Sequence, residues 1–118
     1  MGTTGSDERA FVSVYEFCGN DLEIYLEILV EIRLSLKNLV ETLTKADVYS
    51  EDEIRFIRHK MKSTFRILKD EYFKQILDDF TEGVISNDPD AINTNKTKIL
   101  EASAEYDKRL NPEIETLS

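Results

Sequence analysis

The chain has little of what commonly stops a helix or staples a fold. In 118 residues there are two prolines, four glycines, one cysteine, one histidine and no tryptophan. With so few breakers, long helices are expected. A lone Cys18 excludes an intrachain disulfide, fits a reducing compartment and reads as a buried structural thiol. One histidine and one cysteine, 41 positions apart, do not make a structural metal site. No run of about 18 apolar residues exists, so no membrane-spanning helix is expected. No apolar stretch follows Met1, so no secretory signal is expected either. There is no Gly-rich phosphate loop, no Gly-x-Ser-x-Gly elbow and no Cys–His pair. An autonomous enzyme is not expected, because it needs a pocket with convergent groups.

Positive charge is also scarce. Fifteen Lys and Arg face 24 Asp and Glu, a net charge of −9. That balance argues against nucleic acid and against direct contact with an anionic membrane, both of which would repel the average surface. One stretch is the exception. Between Ser50 and Lys69 there are six cations and three anions, and that stretch holds the single histidine, His59.

The pattern that is present is helical and all-α. Met1–Ser6 reads as a linker or tag remnant, and its permissive fit to a myristoylation signal carries little weight. Residues 7–112 read as one helical domain, and 113–118 as a frayed C-terminal tail. Ser6 or Asp7 is expected to cap a short helix to about Phe17, with Phe11, Val14, Tyr15 and Cys18 inward and Gly19 ending it in a left-handed turn. Asn20 or Asp21 caps the next helix, with Glu23 completing a capping box with Asn20. Leu22, Leu29, Leu36 and Leu43 repeat every seven residues, interleaved with Tyr25, Ile32 and Leu39, as in a bundle helix. Further apolar residues on that helix suggest more than one neighbour, or a patch left for a partner, a second copy included.

Ser50-Glu51-Asp52-Glu53 is a capping box that opens a third helix, to about Leu68, with Ile54, Ile57, Met61, Phe65 or Thr64, and Leu68 as its core stripe. Asp70 is expected to cap a fourth helix, with Phe73, Ile76, Leu77, Phe80 and Val84 inside. Asp88 caps a fifth, with Pro89 at its first position and Ile92, Ile99, Ala102, Tyr106 and Leu110 inward. That helix is expected to stop before Pro112. Four long helices with short connections predict an antiparallel four-helix bundle, with the short additional N-terminal helix across one end.

His59 falls on the third helix, roughly 160° from Ile57 and Met61 at about 100° per residue, so its imidazole is expected to face solvent. Arg55, Lys62, Ser63 and Arg66 lie at i−4, i+3, i+4 and i+7, on the same face. Neighbouring cations favour a neutral ring, whose nitrogen is a nucleophile, and favour a phosphoryl group attached to it. A solvated basic face with an incidental histidine accounts for the spacing equally well. The acidic runs Glu51–Glu53 and Asp78-Asp79 read as cap acids and a solvated face.

The run His59-Lys60-Met61-Lys62-Ser63-Thr64-Phe65 resembles the phosphoacceptor helix of histidine-containing phosphotransfer (HPt) domains, whose motif reads His-x-x-Lys-Gly-(Ser/Ala). Phe17-Cys18-Gly19-Asn20-Asp21-Leu22 resembles the segment before that family's first long helix, so the likeness covers most of the chain. The resemblance implies a phosphocarrier without catalytic activity of its own. His59 would be the phosphoacceptor and Lys62 would help hold the phosphoryl group. Arg55, Ser63 and Arg66 would support the face, and Phe11, Tyr15 and Phe56 would dock the partner. The implied partners are response-regulator receiver domains, with a hybrid histidine kinase in the same chain as a further possibility. No cofactor is implied beyond Mg2+ on the receiver. The implied setting is cytoplasmic, free or as part of a membrane-bound sensor. Ser63 stands where the family has glycine, and a second family glycine, at the end of the helix, is replaced near Lys69. An alternative is a degenerate carrier: a non-catalytic helical module that binds a receiver or kinase without phosphotransfer.

Overall fold

The computed structural model describes residues 9–118, and the expected linker at Met1–Ser6 and caps at Ser6 and Asp7 lie outside them. The described residues form five α-helices and no strand: α1 (Val12–Phe17), α2 (Leu22–Thr44), α3 (Glu51–Leu68), α4 (Glu71–Ile85) and α5 (Pro89–Leu117).

The helix starts follow from side chains that answer free amide groups. Asp21 Oδ1 accepts from the backbone N–H of Glu23 and Ile24 at the start of α2. Ser50 Oγ accepts from Glu53 N–H, Asp70 Oδ1 from Phe73 N–H at 2.8 Å, and Asp88 Oδ1 from Ala91 N–H. The Asn20 capping box does not form. Asn20 has φ 61°, left-handed like Gly19 before it (φ 67°), and leaves the capping to Asp21. These two residues close α1: Gly19 N–H bonds the Glu16 carbonyl and Asn20 N–H bonds the Tyr15 carbonyl, both at 3.0 Å. Within the described residues α1 begins at Val12, and Phe11 at its N-cap makes no side-chain capping bond.

Neighbouring helices run antiparallel, as their residue pairings show. Lys45 near the end of α2 meets Glu53 near the start of α3 at 3.2 Å. Phe65 late in α3 packs on Phe73 early in α4, ring centroids 4.9 Å apart. Gly83 late in α4 lies under the start of α5, where a Cβ would come within 3.1 Å of Ala91 Cβ, so a larger residue there would push the helices apart. Tyr25 early in α2 bonds Glu113 late in α5. The core joins Leu29, Leu36, Leu39, Leu43, Ile54, Met61, Phe73, Leu77, Phe80, Ile99 and Leu110 from the four long helices, with Phe11 and Val14 from the N-terminal segment. Leu22, expected inward, is 41% exposed, because the inner seam begins with Tyr25.

The C-terminal expectation is corrected. The helix α5 does not stop before Pro112, and 113–118 is not a frayed tail, since helix continues to Leu117. Proline removes one N–H and crowds the preceding turn, a penalty of about 3 kcal/mol in a helix interior. Tertiary contacts outweigh it here. Ile114 is buried. Glu113 Oε2 accepts from Tyr25 Oη at 2.6 Å and from Ala10 N–H at 2.9 Å.

Candidate functional site

The α3 helix is fixed along one side by Ile54, Ile57, Met61, Thr64 and Phe65, all buried. Its other side is therefore presented without freedom to roll. Arg55, His59, Lys62, Ser63 and Arg66 are all exposed there, so the expected basic face exists with His59 at its centre. The buried Thr64 hydroxyl is turned away from it. The Glu51, Asp52 and Glu53 carboxylates stay at the helix start, beside free amide groups. Glu51 there pairs with Arg55 at 3.4 Å. Among the described residues, His59, Lys62 and Arg66 make no ion pair or side-chain hydrogen bond, so their polar groups remain open to a ligand.

Two clefts flank this face. Toward α4, a cleft of about 240 Å³ is lined by Arg58, Lys62, Phe65, Lys74 and Asp78, with Lys74 held to Asp78 at 3.1 Å. Toward α2, a groove of about 330 Å³ is bordered by Phe56, Ile57, Lys60 and Met61. Phe56 is 63% exposed, and the Lys60 ammonium sits 5.4 Å from its ring centroid. The only carboxylates among the residues bordering these two clefts are Asp78 in the first and Glu41 and Glu53 in the second. Among the described residues no group of three or more His, Cys, Asp or Glu is placed to hold a metal ion. No helix among them is long and apolar enough to cross a membrane.

The three aromatic residues named for docking divide. Phe56 is on the α3 surface, one turn before His59. Tyr15 is half-buried against Tyr25, ring centroids 5.3 Å apart and near-perpendicular. Phe11 is 5% exposed, stacked on Tyr106 with the Arg109 guanidinium 4.3 Å from its ring centroid. It is a core residue and offers no docking surface. Its place next to the C-terminal turns of α5 is a long-range contact that its local sequence does not announce. The half-buried Cys18 thiol is pushed up from its ordinary pKa by burial and by the nearby Asp21 carboxylate, both of which disfavour the thiolate.

Sequence reasoning counted Arg58 in the basic stretch without placing it at the edge of the face, and missed Lys74, which lines the same cleft. Lys74 comes from α4, at a distance along the chain that no helical period spans. Lys69 takes the left-handed conformation (φ 57°) that glycine adopts without strain, while its N–H bonds the Phe65 carbonyl. Compared with models of known protein families, with curated proteins and with solved structures, the chain finds no match to any of the three.

Proposed function

We propose that the chain is a histidine phosphotransfer domain, with α2 to α5 as that family's antiparallel four-helix bundle and α1 across one end. It would take a phosphoryl group onto His59 from a receiver-domain aspartyl phosphate and pass it to a second receiver, in the cytoplasm. The observation that carries this reading is an exposed His59 on a rigid helix, one turn from an unpaired Lys62, on the cationic face of an acidic protein.

A ring nitrogen of neutral His59 attacks phosphorus in line with the aspartyl oxygen. The N–P bond forms as the P–O bond breaks, the aspartate leaves as a carboxylate, and the ring's other nitrogen sheds its proton to water. The receiver contributes Mg2+ and most of the groups around phosphorus. This chain contributes position and positive charge, which is what a loose phosphoryl-transfer transition state needs most. Lys62, one turn on and exposed, would meet the phosphoryl oxygens. Arg55, Arg58 and Arg66 raise the local potential.

Incubation with a receiver charged by a small acyl phosphate tests the reading. Wild type should acquire an acid-labile, base-stable label and His59→Gln should not. Equal labelling of the two would refute it. Binding of the receiver with no label on the wild type would favour the non-catalytic module, which the serine at 63 makes the natural alternative.

A further inference from the structure

A second surface lies on α2, on the side away from the core. Glu23, Glu27, Val30, Leu34, Lys37 and Glu41 are spaced alternately four and three apart, and all six are exposed. This is the spacing of a two-helix seam. The helix already has one such seam inside the molecule: Tyr25, Leu29, Ile32, Leu36, Leu39 and Leu43, all buried. It therefore carries two seams on opposite sides, and among the described residues only the inner one is buried. The outer one is apolar at its centre, where Val30 is 39% and Leu34 50% exposed, and charged toward both ends.

We propose that the outer seam pairs with the same seam of a second copy, antiparallel, about a two-fold axis at the level of Ile32. In that register Val30 meets Leu34 of the second copy, and the symmetry repeats the contact. Glu27 falls in one layer with Lys37 of the second copy, again twice. A parallel pairing would set Glu27 against Glu27 and Lys37 against Lys37, so the charges select the antiparallel arrangement. Only Glu23 and Glu41 face like charge, at the two ends, where water screens them. A cleft of about 550 Å³ between α2 and α5, bordered by Val30, Leu34 and Val40, gives the second copy's apolar side chains a place to enter. With two apolar side chains from each copy at its centre, the pairing is weak, micromolar rather than nanomolar. It uses no residue of α3, so His59 stays available whether or not the relay reading holds.

Sedimentation across a concentration series tests the pairing on the intact chain. Wild type should pass from 13.7 kDa toward twice that mass as concentration rises. Leu34→Glu should stay monomeric with an unchanged helical circular-dichroism signal. Glu27→Lys or Lys37→Glu alone should raise the dissociation constant at least tenfold, and the double exchange should restore it. In a Cys18→Ser background, a Val30→Cys chain mixed with a Leu34→Cys chain should oxidise to the mixed pair in preference to either like pair. A wild type that remains monomeric at millimolar concentration overturns the proposal. So does a Leu34→Glu chain that dimerises as well as wild type, a double exchange that fails to rescue, or like pairs that form as readily as the mixed one.

Discussion

The outward face of α3 and the end of the molecule where α1 meets α5 are built in opposite ways. At that end, polar side chains are tied to one another. Tyr25 Oη donates to Glu113 and accepts from Phe11 N–H at 3.2 Å. Arg109 donates to the Ala10 carbonyl at 2.9 Å and covers Phe11. Tyr106 Oη donates to Asp70, whose other oxygen caps α4. On α3, His59, Lys62 and Arg66 make no ion pair or side-chain hydrogen bond among the described residues. Buried polar groups are costly unless answered, so a closed network adds stability and shape but is unavailable to a ligand. Exposed, unpaired cations add little stability and are free to bind. The same helical architecture thus closes one end and leaves one face open.

The comparison is broken most severely at the tied end. Tyr25→Phe strands the Phe11 amide and withdraws a donor from Glu113, and should cost about 1–3 kcal/mol of unfolding free energy in chemical denaturation. Below its midpoint the variant should accept label at the wild-type rate. A loss of label with the fold intact would mean that the two regions are coupled.

Next in size is the open face of α3. Lys62→Ala should slow labelling of His59 about tenfold, equivalent to about 1.4 kcal/mol at the transition state. Its denaturation midpoint should stay within error of wild type. A stability loss as large as that of Tyr25→Phe would place Lys62 among the tied residues.

Alkaline pH sharpens the contrast. Burial, and then the hydrogen bonds to Glu113 and Asp70, push the Tyr25 and Tyr106 phenols well above their ordinary pKa of 10.0. The folded state holds these protons more tightly than the unfolded chain. Their contribution is therefore whole below pH 10.0 and declines as pH rises above it toward the folded values. Unfolding free energy measured from pH 9 upward should fall more gently in Tyr25→Phe and in Tyr106→Phe than in wild type.

The smallest effect is expected between the two regions. Lys69→Gly relieves the left-handed strain at the α3–α4 turn and should stabilise by about 0.5–1 kcal/mol, read as a raised midpoint. Labelling should not change.

Much of this was legible in sequence because it is local. The caps Ser50, Asp70 and Asp88, the closing Gly19 and the seven-residue seam of α2 each depend on residues a few positions apart. The outward direction of His59 follows from helical period alone. What could not be read depends on distant residues. Helix continues past Pro112 because Glu113 and Ile114 have partners near the opposite end of the chain. Phe11 reads as inward from its own helix, but Tyr106 and Arg109, which cover it, come from the far end of the chain. Lys74 joins the edge of the basic face only once α4 folds back along α3.

The central claim is that His59 carries the phosphoryl group. The most direct measurement is mass-spectrometric mapping of the labelled chain, handled at alkaline pH throughout. The account predicts a single phosphoryl group on the peptide that contains His59, lost on brief acidification. A phosphoryl group on any other residue, or none on a chain that demonstrably binds the charged receiver, would contradict it.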